Sequence, residues 1–298
     1  MKVRIYSIIA AALLSVPAAF AQGDALPFVR IDRNPRTAAM AGAGAASVQD
    51  MAWSAFRNAA AIPFFSGSLD AGLNWQRWAP DGLPANHVNF GTGVKISDVF
   101  GFSVGGAYQM GEPYDGFRPY DAVVNLGAGY RITEAFSAGV SFRYAASAIA
   151  PQMDLSAFAA DFMLMYRVQP GLQVAAGIAS VGTQVKSDSG AAFSLPASAV
   201  VAVSYRNAFA ADHAVEGNLD VDVFFSGNVT AALGVEYGFR DMLFVRAGYH
   251  YGTEAAVLPS FATVGLGARY AGVRLEFAYL TASEILGNTM TLGLGYSF

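Results

Sequence analysis

The feature that most restricts the fold is a strict two-residue alternation that recurs, segment after segment, from about residue 67 onward. The last ten residues show it plainly. Met290, Leu292, Leu294, Tyr296 and Phe298 share one face, and Thr289, Thr291, Gly293, Gly295 and Ser297 share the other. Successive side chains of a strand point to opposite faces, so this reads as a strand with one greasy and one small-polar side. In a water-soluble domain such a terminal strand would be a sticky, exposed edge. Fourteen segments follow the same template: roughly 67–77, 86–96, 100–110, 121–131, 134–144, 156–167, 171–181, 195–205, 213–225, 229–239, 242–251, 260–270, 272–282 and 289–298. Their lengths suit a tilted strand crossing a bilayer, about 9–11 residues.

The links between segments alternate as well. Short links follow the even segments (Ser97–Val99, Ile132-Thr133, Val168–Pro170, Asp241, Ala271), with Asn207–Asp212 as the exception. Mostly long ones follow the odd segments: Trp78–Ala85, Gly111–Tyr120, Ala145–Leu155, Gly182–Ser194 and Gly252–Pro259. Short periplasmic turns and longer external loops are the habit of outer-membrane barrels. Tyrosines agree with that orientation. Tyr130, Tyr166, Tyr205, Tyr237, Tyr270 and Tyr296 sit at the lower ends, while Trp75, Tyr108, Tyr144, Tyr251 and Tyr279 end the upward segments. A soluble sandwich or lipocalin-type barrel would turn the apolar face inward. With 54% apolar and only 13% charged residues, the chain has too little polar surface to solvate that exterior. The predicted fold is therefore all-β, a 14-stranded antiparallel transmembrane β-barrel (67–298), with outer-membrane lipid as its surroundings.

The first 21 residues read as a signal peptide: Lys2 and Arg4, an apolar stretch from Ile8 to Ala19, and a small-x-small site at Ala19-Phe20-Ala21. Its removal takes the formal net charge from −4 to −6. The chain contains no cysteine, so disulfides, thiolate metal sites and a nucleophilic thiol are excluded. A mildly acidic exported chain without a basic patch is not a nucleic-acid binder. The expected place is the outer membrane of a diderm bacterium, with both termini periplasmic.

Residues 22–66 break the alternation and are rich in Gly and Ala, with Ser47 and Asp50 resembling a helix start. A 14-stranded barrel is intermediate between barrels filled by side chains and open pores. This segment is the natural plug. The outward faces also fix which charges point inward, among them Asp220, Asp222, Glu236, Arg246, Arg274 and Glu276, with Asp220, Asp222 and Glu236 expected near Arg246. They form either a salt-bridged lining that holds the plug or a solute-binding constriction. Arg30, Arg33, Arg36 and Arg57 of the plug are expected to pair with luminal acids.

Arg36, Met40, Gly42, Gly44, Asp50, Phe56 and Asn58, in that order and spacing, resemble the N-terminal signature of PorV/PorQ-like proteins, a branch of the FadL-like outer-membrane barrels. The chain departs from it at Asn58-Ala59-Ala60, where the signature has Asn-Pro-Ala. The resemblance implies two kinds of work. PorV/PorQ-like members serve type IX protein export in Bacteroidota, with a larger translocon and secreted proteins as partners. FadL-like members pass small hydrophobic compounds through a hatch and a kinked strand. Gly105-Gly106 would make such a kink or would simply relieve crowding. Tyr296-Ser297-Phe298 resembles the address read by the barrel-assembly machinery. Export is the leading expectation, and a hydrophobic-solute channel or a structural subunit is the alternative.

Enzyme chemistry finds little footing. His250, with Glu254 four residues on and Ser260 beyond, does not make a triad by sequence. The spacings of His87, His213 and His250 suggest no metal site, and no cofactor is implied. Gly91-Thr-Gly93 and Gly265-Leu-Gly267 lie inside strands, so they are not phosphate loops.

Overall fold

The computed structural model describes residues 24–78, 85–113, 115–151, 153–186, 192–253, 258–281, 283 and 289–298. The expected signal peptide and Glu254 lie outside them. In chain order the strands are β1 (Leu69–Trp78), β2 (Ala85–Lys95), β3 (Phe100–Met110), β4 (Tyr120–Arg131), β5 (Phe136–Ala150), β6 (Met153–Gln169), β7 (Leu172–Gly182), β8 (Val185–Lys186), β9 (Ala192–Phe193), β10 (Ser198–Ala210), β11 (His213–Phe224), β12 (Val229–Phe239), β13 (Leu243–Gly252), β14 (Phe261–Tyr270), β15 (Val273–Thr281) and β16 (Met290–Ser297). β8 and β9 pair only with each other. The rest form one closed barrel of fourteen strands, each antiparallel to its neighbours, with β1 and β16 sealing the wall from Asp70↔Ser297 to Arg77↔Met290.

The alternation sorts the two faces as the sequence requires. Leu266 is 58% exposed and Leu294 53%, whereas Asp70, Asn89 and Asn125 on inner faces are fully buried. A wall with greasy side chains outside and amides and carboxylates inside is the reverse of a soluble domain. The lower tyrosines all stand on the outer face; of the upper set, Tyr108, Tyr144 and Tyr251 are exposed and Trp75 and Tyr279 only half so.

Two links differ from the sequence reading. β10 continues to Ala210, so Asn207–Asp212 is mostly strand and the exception among the short links disappears. Likewise, β5 and β6 extend to 15 and 17 residues and absorb nearly all of Ala145–Leu155. In both places the hairpin goes on pairing past the apolar band, where alternation no longer has lipid to select it.

The plug enters from an unexpected end. Asp24 accepts a hydrogen bond from Ser226 in the β11–β12 link, and the Ala25 N–H donates to Ser194, both at the end with the long links. Phe298 pairs with Ser68 and Leu69 at the opposite end. The two ends of the described chain, residues 24 and 298, therefore lie at opposite mouths of the barrel, whereas the expectation put both termini in the periplasm. The strand count places the start of β1, not the start of the chain, because residues 24–66 run the length of the lumen first.

Along this path lie a 3₁₀ turn (Pro27–Arg30), α1 (Pro35–Ala38), α2 (Ser54–Arg57) and a second 3₁₀ turn (Ala59–Phe64). Asn34 and Asn58 start α1 and the second 3₁₀ turn with their side chains, accepting from the Arg36 and Ala60 N–H groups at 3.0 and 2.9 Å. Gly42, at φ +88°, closes the coil after α1 in a backbone region that side chains resist.

The inner glycines mark where this path presses on the wall. Gly72, Gly91 and Gly105 stand side by side across β1, β2 and β3. A Cβ there would strike Trp53, Ala52 and Phe56 of the plug respectively. Opposite them, Gly234 and Gly248, paired across β12 and β13, receive Met40.

Candidate functional site

The luminal charges are spent on holding the plug. Arg36 lies at the centre, its guanidinium reaching Glu236 at 2.8 Å, Glu216 at 2.9 Å, Ser47 at 3.1 Å and Asp50 at 3.5 Å. Glu236 is shared with Arg246 at 2.7 Å, and Arg246 reaches Glu276 at 3.2 Å. These groups are nearly all out of water, so the network is strong only while every member is present. Asp220 accepts from the Gly44 and Ala45 N–H groups and from Arg57 at 2.9 Å. Asp222 takes Arg30 and, at 3.1 Å, Arg57.

Two expectations are corrected here. Asp220 and Asp222 do not gather at Arg246. In the β11–β12–β13 register Glu236 is opposite Arg246, whereas Asp220 and Asp222 are opposite Ala232 and Thr230. The plug arginines take them instead. Arg274 likewise pairs with Asp70 at 2.6 Å, and that carboxylate also accepts the Ala52 N–H. Arg33 makes no ion pair with a luminal acid among the described residues, Asp121 acting on it only from a distance. It donates to His87 Nδ1 at 2.7 Å and to the Phe28 carbonyl at 2.8 Å, and burial pushes its guanidinium down to about 10.

The signature residues come together as the frame of the plug. Met40 packs on Gly234 and Gly248, Asp50 accepts from Asn34 at 3.2 Å, and Asn58 donates to the Ala45 carbonyl at 2.7 Å. Phe56 lies on Gly105. Gly105-Gly106 makes no gap, because β3 pairs with β2 and β4 without a register shift. Gly105 leaves room for Phe56 inside and Gly106 for the Phe90 ring. Register shifts lie elsewhere in the wall: besides those at Ala148/Ala150 of β5, Arg167/Gln169 of β6 and Ala208/Ala210 of β10, the register of β6 with β7 shifts between Ala160 and Phe162, where Ser180 takes φ +58° to donate its N–H to Asp161. Alternation alone gives no sign of it.

Between the plug and the wall lies a cavity of about 140 Å³. Towards the long-link end it is bounded by Trp78, Phe261, Leu258 and Leu280, with Gln76 and His250 as polar neighbours. Ser260 bonds Gly252 rather than His250, so no nucleophile and base are brought together there.

Burial alone would raise the Asp50 carboxyl, but Arg36 beside it, helped by Arg274 and Asn34, holds it below the usual carboxylate range. A depressed folded value gives stabilisation that is complete above the unfolded pKa and lost as pH falls through the folded one. The extra amide-exchange protection of residues 34–58 over an Asp50→Asn variant should therefore hold from pH 7 to about 4.5 and shrink below about pH 4. A difference already lost at neutral pH would contradict the pairing.

No protein-family model and no curated protein sequence matches the chain. Solved structures do. The chain is similar to the CymD monoaromatic hydrocarbon channel (TM-score 0.64, 15% identity, covering 89% of this chain and 97% of that one). It is also similar to the Pseudomonas putida toluene transporter TodX (0.62, 13%, 93% and 98%). A Pseudomonas aeruginosa FadL homologue follows at 0.53, 12%, 89% and 98%. The barrel with its N-terminal plug thus has the fold of FadL-type outer-membrane channels.

Proposed function

We propose that the chain is an outer-membrane channel for small hydrophobic compounds, closed at rest by residues 24–66. The observation that carries this reading is the apolar end of the cavity beside the plug, bounded by Trp78, Phe261, Leu258 and Leu280, while elsewhere its lining carries charges such as Arg36, Arg57 and Asp222 that are paired between plug and wall. That end offers aromatic and aliphatic surface to a molecule leaving water. The similarity to hydrocarbon and toluene channels supports it, and protein export, the leading expectation from the signature, drops behind.

The test is uptake of labelled toluene by cells whose outer membrane carries the full chain, a chain lacking residues 24–66, or no added barrel. Uptake several-fold above the no-barrel control is expected for the full chain, with general permeability rising on removal of the plug. Uptake equal to that control in both cases would refute the channel. Specific capture of secreted proteins together with a much larger barrel would return the function to export.

A further inference from the structure

Several buried polar atoms keep no hydrogen-bond partner among the described residues, and His250 Nε2 is the one set against the apolar end of the cavity; the next step rests on the channel reading. His250 is only 8% exposed, its ring stacks on Phe261 (centroids 4.8 Å apart, planes 6° apart), and it bonds the backbone of Ala41 in the plug. Its Nε2 is buried and has no partner among the described residues. A buried polar atom left unpaired costs about 1–3 kcal/mol, so folded proteins keep few of them without a use. An imidazole that donates to a carbonyl through Nδ1 presents Nε2 as an acceptor.

The surroundings of that acceptor are greasy. Ala41, Phe261, Leu280, Trp78 and Leu258 form one apolar cluster, and all of them border the same cavity as His250. The space of about 140 Å³ is roughly ten times what a single water needs. The charged groups that act on the ring are Asp222, Arg57 and Arg30. They are committed to one another, Arg30 to Asp222 and Arg57 to Asp220 and Asp222, while Arg33, which borders the same cavity, is turned to His87 and the Phe28 carbonyl.

We infer that this cavity holds a subsite for a hydroxyl group on an otherwise apolar, single-ring molecule, with His250 Nε2 accepting the hydroxyl proton. A bare hydrocarbon fills the same apolar space but leaves Nε2 unpaired. A carboxylate would bring a second acceptor against the first. A phenol-type molecule satisfies both the wall and the acceptor.

Saturable binding of p-cresol and toluene to the purified full-length protein in detergent tests this, because the two differ only by the hydroxyl. Comparing variants in the same micelles cancels partition into detergent. Wild-type protein should bind p-cresol about tenfold more tightly than toluene, the value of one net hydrogen bond. His250→Phe, which keeps a flat ring against Phe261, should erase that preference by weakening p-cresol and leaving toluene nearly unchanged. His250→Gln retains an acceptor and should keep most of it. Equal affinities in the wild type, a preference that survives His250→Phe, or tighter binding of benzoate than of p-cresol would each overturn the subsite. Toluene binding with no preference leaves the channel standing; failure of both compounds to bind removes channel and subsite together. Should His250→Phe fail to show the heat-modifiable mobility of a folded barrel, the wild-type ratio and His250→Gln decide.

Discussion

Replacing Arg36 by methionine is expected to unseat the plug while leaving the barrel folded. Arg36 is the meeting point of Glu216, Glu236 and Asp50, and it is 1% exposed. Removing one member of a buried ionic network leaves its partners charged in a medium that solvates them poorly, at a cost of about 3–5 kcal/mol. Glu236 keeps Arg246, but the one cation that Glu216 retains among the described residues is Arg206 at 3.8 Å, beside neutral donors from Ser47, Ser204 and Asn218, and Asp50 loses the cation beside it. On that scale the population with a displaced plug rises by roughly two to three and a half orders of magnitude. Single-channel recording should show frequent large openings that the wild type lacks, and protease should reach residues 24–66. The matched control is Arg240→Met, which breaks the solvent-exposed pair with Asp212 and should change neither readout. A quiet, protease-resistant Arg36→Met barrel would mean that apolar packing, not charge, holds the plug.

Loss of Phe298 is expected to act on assembly far more than on the finished barrel. Its carbonyl accepts from Ser68 at 2.8 Å and Leu69 at 3.1 Å, and its N–H donates to the Leu69 carbonyl at 3.1 Å. Those three bonds sit just beyond the β1–β16 ladder, which runs on to Arg77↔Met290 without them. Three net hydrogen bonds amount to about 3 kcal/mol, a modest loss for a closed barrel. The resemblance of Tyr296-Ser297-Phe298 to an assembly address implies, by contrast, that the aromatic ring matters before the barrel closes. Deleting Phe298 should cut the assembled fraction in cells more than tenfold, a penalty above about 1.4 kcal/mol, while the purified chain still refolds in detergent with a lowered midpoint. Phe298→Ala, which keeps the backbone bonds, should reproduce the cellular defect alone. Wild-type assembly of the truncated chain, judged by heat-modifiable mobility, would refute the role of the tip.

What the sequence made legible was the wall. In stretches such as Leu292-Gly293-Leu294-Gly295 the two faces differ in every residue, because lipid and lumen select opposite chemistry at each step. Inward charges could be read off the same way. Their partners could not. Period two says that Asp220 and Glu236 point inward, but which plug arginine meets each depends on how a segment without periodicity lies across four or five strands. Arg33 shows the limit: its partners, a histidine nitrogen and a carbonyl, carry no charge for a pairing rule to find. One signal was present and unread. Glycine on an inner face next to glycine on the neighbouring strand, as in Gly72, Gly91 and Gly105, records the width of whatever lies against the wall, and so traces the plug before any coordinates exist.

The path of the plug from the long-link mouth to the start of β1 also dictates an order of events. Residues 24–66 are the first of the described chain, yet their anchors are the last to exist: Arg36 is 200 residues from Glu236 and Arg30 is 192 from Asp222. Contacts so distant along the chain form late and slowly. A sheet that had already sealed would offer this segment no way in except end-on through a mouth. The N-terminal stretch must therefore lie across the curling sheet while β1 and β16 are still apart, so that the closing wall wraps it. Until then its apolar, alanine-rich surface has no wall to pack against.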